Sequence, residues 1–233
     1  LGGGLFLLAW ADLGETAPLA NSNFRDQVRD YPALLTSPRF WGYNLAAAFS
    51  SGAFFAYLGG APYVGTTVFG MSPATLGVHF GAPAIGYFLG NWASGRYSVR
   101  VGINRMILLG ALLCAIGMFA LLGLFLVGIQ SATIFFAFMT FVGLGNGMVI
   151  PNATSGMLSV RPKLAGTASG LGGSMMLGGG ALLSAFAGAA LGEGSSAIPL
   201  ILIMCATTLA GVGAILFVLW REAQLKAGTE AAE

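Results

Sequence analysis

The chain has 233 residues, of which 56% are hydrophobic and only 8% charged. Soluble domains carry about 25% charged residues, so this composition cannot build a water-facing surface, and a net charge of +2 gives no basic footprint for nucleic acid. Two cysteines, Cys114 and Cys205, and one histidine, His79, make no zinc cluster or disulfide framework. No phosphate-binding loop is present, so the chain is not expected to hydrolyse nucleotide, and no metal or cofactor is expected.

A helix needs about 20 apolar residues to cross the hydrocarbon core of a bilayer. Residues 1–11 are apolar but too few, and no initiator methionine or signal-type leader precedes them. They read as the end of a truncated transmembrane helix. Residues 12–39 are more polar and form an expected cytoplasmic linker between two bundles. Within it Phe24, Val28, Tyr31, Leu34 and Leu35 recur near helical spacing, with Arg25, Asp26, Arg29 and Asp30 on the other face and Asn23 at the start. That is the pattern of an amphipathic helix on a membrane surface. Pro32 is expected to break it and Pro38 to precede the first full span.

Six long apolar runs follow, at 40–64, 73–94, 106–128, 133–155, 165–191 and 199–220. Residues 40–220 therefore read as a six-helix transmembrane bundle, and 221–233 as a polar, disordered cytoplasmic tail. Many of the 37 glycines fall inside these runs, as in closely packed membrane helices. The ten basic residues test this division. Arg25, Arg29 and Arg39 precede the first run. Arg96, Arg100 and Arg105 separate the second and third, Arg161 and Lys163 the fourth and fifth, and Arg221 and Lys226 follow the last. The other three connections carry none, so six spans place every base on one side, which the positive-inside rule makes cytoplasmic. A wrong span count would scatter the bases over both sides.

Four stretches stand out. Gly90 to Arg105 alternates glycines with Arg96, Arg100 and Arg105 over an expected tight connection, read either as a plain basic loop or as a gate latch. Gly143 to Thr154 sets Asn146, Pro151 and Asn152 near the cytoplasmic end of a span, where amides must face protein or water. Their plainer reading is hydrogen bonding between helices. Gly166, Gly170, Ser174 and Gly178 recur every four residues, a packing signal. Phe54, Phe55, Tyr57, Tyr63, Phe80 and Tyr87 place aromatics on the first two spans, and His79 falls in the outer half of the second. No Asp or Glu lies within any run, and Glu193 is the only acid on the outer side.

Several of these stretches resemble one family. Phe54-Phe-Ala-Tyr-Leu-Gly-Gly-Ala-Pro62, Phe69-Gly-Met-Ser-Pro73 and Gly77-Val-His-Phe80 resemble the seventh and eighth helices of drug/proton antiporters of the Bcr/CflA group in the major facilitator superfamily. Gly145-Asn-Gly-Met-Val-Ile-Pro151-Asn-Ala-Thr and Ala165-Gly-Thr-Ala-Ser169 resemble the tenth and eleventh. Gly90 to Arg105 is similar to the second copy of the superfamily's cytoplasmic loop motif, and Leu13-Gly-Glu-Thr resembles the end of the sixth helix. The resemblance implies an all-α membrane protein, the C-terminal half of a 12-helix fold, multi-pass in a bacterial inner membrane. It also implies proton-coupled export of lipophilic, drug-like compounds by alternating access, with the titrating acid in the absent N-terminal six-helix half. By the same resemblance, Phe54, Tyr57, Tyr87, Asn146 and Asn152 are expected to bind cargo, and Arg96, Arg100 and Arg105 to form a gating loop. The partners are then a lipophilic small molecule, protons, the bilayer and the N-terminal half.

Other functions fit less well. A sugar or metabolite carrier of the same superfamily is the main alternative. A rhomboid-type intramembrane protease needs Gly-x-Ser-Gly, and here Thr167-Ala-Ser-Gly170 lacks the first glycine while His79 precedes the serine. A water channel needs Asn-Pro-Ala boxes, and Pro151-Asn-Ala153 has the wrong order.

Overall fold

The computed structural model describes residues 31–192 and 194–230. The expected helix end at 1–11, most of the amphipathic segment and Glu193 lie outside the described residues. Residues 31–35 are helical, with Pro32 within that stretch. Seven α-helices follow among the described residues: α1 Pro38–Tyr63, α2 Pro73–His79, α3 Ala82–Val101, α4 Ile103–Leu126, α5 Ala132–Val160, α6 Ala165–Ala189 and α7 Ile198–Glu230. No strand occurs among them. The protein is an all-α, multi-pass membrane protein.

Local chemistry sets the boundaries. Ser37 caps α1, its Oγ accepting from the Phe40 N–H, with Pro38 in the first turn. Pro62 sits near the end of α1, and the chain continues as a π-helical turn, Val64–Val68. Ser72 caps α2 and Pro73 opens it.

The run expected as one span over 73–94 is two helices, α2 and α3, parted at Phe80 and Gly81. Pro83 explains the break, because it has no N–H to donate to the His79 carbonyl and so stands in the first turn of a new helix, where that donor is not needed. The expected connection before Arg105 shrinks to Gly102, with φ of 91°. Only glycine adopts that backbone without strain. The expected disordered tail is also corrected: α7 runs on as helix to Glu230.

Four helical segments are long and apolar enough to cross a membrane by length and composition: Ile103–Leu126, Ala132–Val160, Pro162–Ala189 and Ile198–Leu225. α1 and α3 are more polar than these. For α1 the reason is position. It packs against α5, α6 and α7 at the centre of the bundle, where Asn44, Ser50 and Ser51 are buried in protein.

The remaining contacts give the layout. α5 packs on α1, α3 and α4, and α4 also meets α7. α3 rests mainly on α5, and α6 mainly on α1. Glycine permits the first of these contacts: a methyl group at Gly143 of α5 would run into the Pro83 carbonyl of α3, and one at Gly86 into the Thr140 carbonyl of α5. One apolar core joins Tyr57, Phe125, Phe135, Phe136, Met139 and Leu200, and a second joins Phe40, Tyr43, Ile107, Val149, Met157 and Ile215.

Candidate functional site

α3 rests mainly on α5 and α6 mainly on α1, and the four helices together line a cleft. Its volume is about 390 Å3, and its lining combines Ser51, Phe54 and Phe55 of α1 with Phe80 and Tyr87 at and beyond the α2–α3 break. Pro83 and Ala84 of α3, Gly143, Asn146 and Ile150 of α5 and Met176 of α6 complete it. No charged side chain lines it.

Three of the expected cargo residues, Phe54, Tyr87 and Asn146, are in this lining. Tyr87 is 45% exposed, so its ring is available on the α3 wall. Asn146 is held by one end of its amide: its Oδ1 accepts from the Ser50 hydroxyl at 2.6 Å. Its Nδ2 has no partner among the described residues, which leaves an oriented N–H donor at the floor of the cleft.

Tyr57 is wholly buried and does not line the cleft. Its ring lies 4.8 Å from that of Phe80 and 6.2 Å from that of Phe54, centroid to centroid, so it backs two lining rings. Its hydroxyl is buried with no hydrogen-bond partner among the described residues. Asn152 is engaged elsewhere, its Nδ2 donating to Ser94 Oγ on α3 and to the Met148 carbonyl, each at 2.7 Å. It fastens α3 to α5 about 1.7 turns along α5 from Asn146. Ser51, Ile150 and Met176 were not singled out in the sequence, and Phe55 and Phe80 stood there only as aromatics of the first two spans. The aromatic clustering of Phe54, Phe55 and Phe80 was the available signal.

Arg96 and Arg100 stand on the last turns of α3, and Arg105 on the first turn of α4. All three are exposed and make no ion pair among the described residues. The one ion pair found there joins Arg39 at the start of α1 to Glu222 near the end of α7, at 2.8 Å. Asn104 Nδ2 donates to Glu222 Oε2 at 2.6 Å, and the Tyr43 hydroxyl lies 2.7 Å from Asn104 Oδ1 and 3.0 Å from Glu222 Oε1. The starts of α1 and α4 therefore meet the end of α7 at one end of the bundle. The bases of the α3–α4 and α5–α6 connections fall at that same end. His79 closes α2 at the opposite end. Its Nδ1 bonds the Thr75 carbonyl at 2.8 Å and its ring packs 5.5 Å from Phe136, centroid to centroid.

Comparison with known proteins bears on what such a cleft serves. The profile of the Major Facilitator Superfamily matches residues 1–185. The chain is also 27% identical over 210 residues to the "Uncharacterized MFS-type transporter YdgK" of Bacillus subtilis (strain 168), covering 89% of this chain and 51% of that protein. It spans about half the length of the curated relative it matches.

Proposed function

This chain belongs to the major facilitator superfamily of transporters, and from that premise we propose that it is the cargo-holding C-terminal half of a proton-coupled exporter of lipophilic, drug-like compounds. The observation that carries the reading is the cleft between α3 and α6, walled by Phe54, Phe55, Phe80 and Tyr87 and free of charged side chains. Its polar contacts are few: Ser51, the Tyr87 hydroxyl and the free Asn146 N–H. A sugar requires a partner for most of its hydroxyls, since each one buried without a partner is costly. An aromatic wall with a few donors suits a planar or cationic lipophile, whose contact with a ring face contributes about 0.5–2 kcal/mol when desolvated.

In the proposed mechanism the N-terminal half closes over the open side of the cleft, and the two halves rock to present it to each side in turn. α3 and α6 suit the moving walls, because each is fastened mainly to one neighbour. The exposed apolar side chains Ile85, Phe88 and Trp92 of α3 and Leu182 and Phe186 of α6 would meet the other half or lipid. Among the described residues the acid nearest the spans is Glu222, committed to Arg39 and Asn104. The proton-carrying carboxylate is therefore assigned to the N-terminal half. The basic end of the bundle, with the end of α7, faces the cytoplasm of a bacterial cell. Arg96, Arg100 and Arg105, unpaired at that end, are the residues proposed to latch the inward gate.

Alanine at Asn146 or Tyr87 in the complete protein is expected to change which compounds are exported, with expression and thermal stability near wild type. A protonophore is expected to abolish export of all of them. An unchanged resistance profile for every compound would remove Asn146 and Tyr87 from the site, and export indifferent to the protonophore would remove the proton coupling.

A further inference from the structure

We propose that a groove at the turn between α5 and α6 holds the phosphate headgroup of an anionic phospholipid. α5 ends at Val160. Arg161 leaves it in extended geometry, and Pro162–Leu164 form one 3-10 turn before α6 begins. The Leu164 N–H donates to the Arg161 carbonyl at 2.8 Å and closes the turn. The groove beside it has a volume of about 460 Å3 and is lined by Val160, Arg161, Pro162, Lys163 and Leu164, and by Ala33 of the helical stretch 31–35.

Both walls are anchored. Leu34, next to Ala33, is wholly buried, and Leu164 is 9% exposed, each in the core that holds Phe40 and Met157. The groove is thus part of the packed bundle.

Its chemistry is divided. Val160, Leu164 and Ala33 are apolar. Arg161 and Lys163 are exposed and have no hydrogen-bond or ion-pair partner among the described residues. Other bases at this end differ. Arg39 is neutralised by Glu222, and Arg221 donates to Gln224 at 2.9 Å. Arg96, Arg100 and Arg105 are unpaired too, and they line neither this groove nor the cleft. At the α5–α6 turn two cations without an ion-pair partner among the described residues border a recess with an apolar side.

A phosphodiester fits that division. The guanidinium forks two phosphate oxygens, and the ammonium supplies a second charge from the same turn. The glycerol and the start of an acyl chain would lie along Val160 and Leu164. The position selects a lipid over a dissolved anion, because the turn joins two segments of membrane-crossing length, Ala132–Val160 and Pro162–Ala189, and so opens at the interface. Basic recesses on the cytoplasmic side of membrane helices are recognised headgroup sites. The inference rests on the membrane fold and is independent of what the cleft carries.

The test uses the complete protein, purified in detergent, with phosphatidylglycerol as the probe and phosphatidylcholine as the neutral comparison. Retained lipid is read by native mass spectrometry. R161Q/K163Q is expected to lower phosphatidylglycerol retention about thirtyfold, since each base near an anionic headgroup contributes about a fivefold factor. R96Q/R100Q removes the same charge from the same end and is expected to keep wild-type retention, as is the charge-preserving R161K/K163R. Thermal unfolding of each variant separates loss of lipid from loss of fold. If R161Q/K163Q is unfolded, the single variants R161Q and K163Q are read instead, each expected to lose several-fold. Equal loss in both double glutamine variants would mean a general surface charge effect and overturn the site, as would no loss in either. Displacement of the lipid by millimolar inorganic phosphate would reassign it to free anions.

Discussion

Replacing Glu222 by alanine removes the acceptor on which three helices converge. Arg39 of α1, Tyr43 of α1 and Asn104 of α4 all reach the carboxylate on α7, at 2.8, 3.0 and 2.6 Å. In the alanine variant the half-buried Asn104 Nδ2 loses its acceptor; a fully buried donor left unsatisfied costs about 1–3 kcal/mol, and partial access to water puts this loss toward the lower end. The Arg39 pair adds little, because the Arg39 side chain is 35% exposed and such a pair is screened, contributing about 0–1 kcal/mol. Tyr43 keeps its bond to Asn104 Oδ1 at 2.7 Å and adds no further loss. The sum is about 1–4 kcal/mol. A loss near 2.5 kcal/mol corresponds to a fall in Tm of about 5–10 °C for a domain of this size. Glutamine should cost much less. Its Oε1 still accepts from Arg39, and if the Asn104 amide turns over, its carbonyl can accept from the new NH2 while Tyr43 donates to Gln Oε1. Buried Cys114 and Cys205 supply the assay, since a thiol-reactive dye reaches them only on unfolding. An alanine variant that melts with wild type, or a glutamine variant that falls as far as alanine, would refute this accounting.

Three further outcomes are expected. Gly143→Ala forces a methyl group against the Pro83 backbone and should destabilise by about 1–3 kcal/mol, whereas Gly173→Ala meets nothing within 4 Å and should be neutral or stabilising by up to about 1 kcal/mol; equal melting temperatures would contradict the close α3–α5 contact. Tyr57→Phe removes a buried hydroxyl that has no partner among the described residues, so thermal stability should hold or rise, while Tyr57→Ala should cost about 3–5 kcal/mol through the cavity it leaves; a clear loss in the phenylalanine variant would mean that the hydroxyl has a partner. In intact cells an impermeant thiol reagent should label cysteine at Ser131 but not at Ala227, and the reverse pattern would invert the proposed orientation.

Composition and the spacing of bases carried the fold class. With 8% charged residues and runs long enough to cross a bilayer, the chain can satisfy its backbone only as helices in lipid. The alternation of Arg96, Arg100 and Arg105, then Arg161 and Lys163, then Arg221 with base-free connections put helix ends on common sides before any contact was known. Proline and glycine marked local punctuation, although Pro83 was passed over and its break between α2 and α3 with it. Which faces of the helices turn inward was not legible. In water an inward face declares itself by being apolar, but in a bilayer the outward face is apolar as well, so periodicity does not separate Tyr57, which is buried, from Tyr87, which stands in the cleft. Nor could sequence assign the two amides, because Asn146 and Asn152 differ only in whether a neighbour already holds the Nδ2 group. Glu222 looked like part of a polar tail because its partners Arg39 and Asn104 are 183 and 118 residues away. Bonds across such distances exist only once α1, α4 and α7 have packed, and that packing alone decides which polar groups hold the bundle together and which keep a free donor or acceptor.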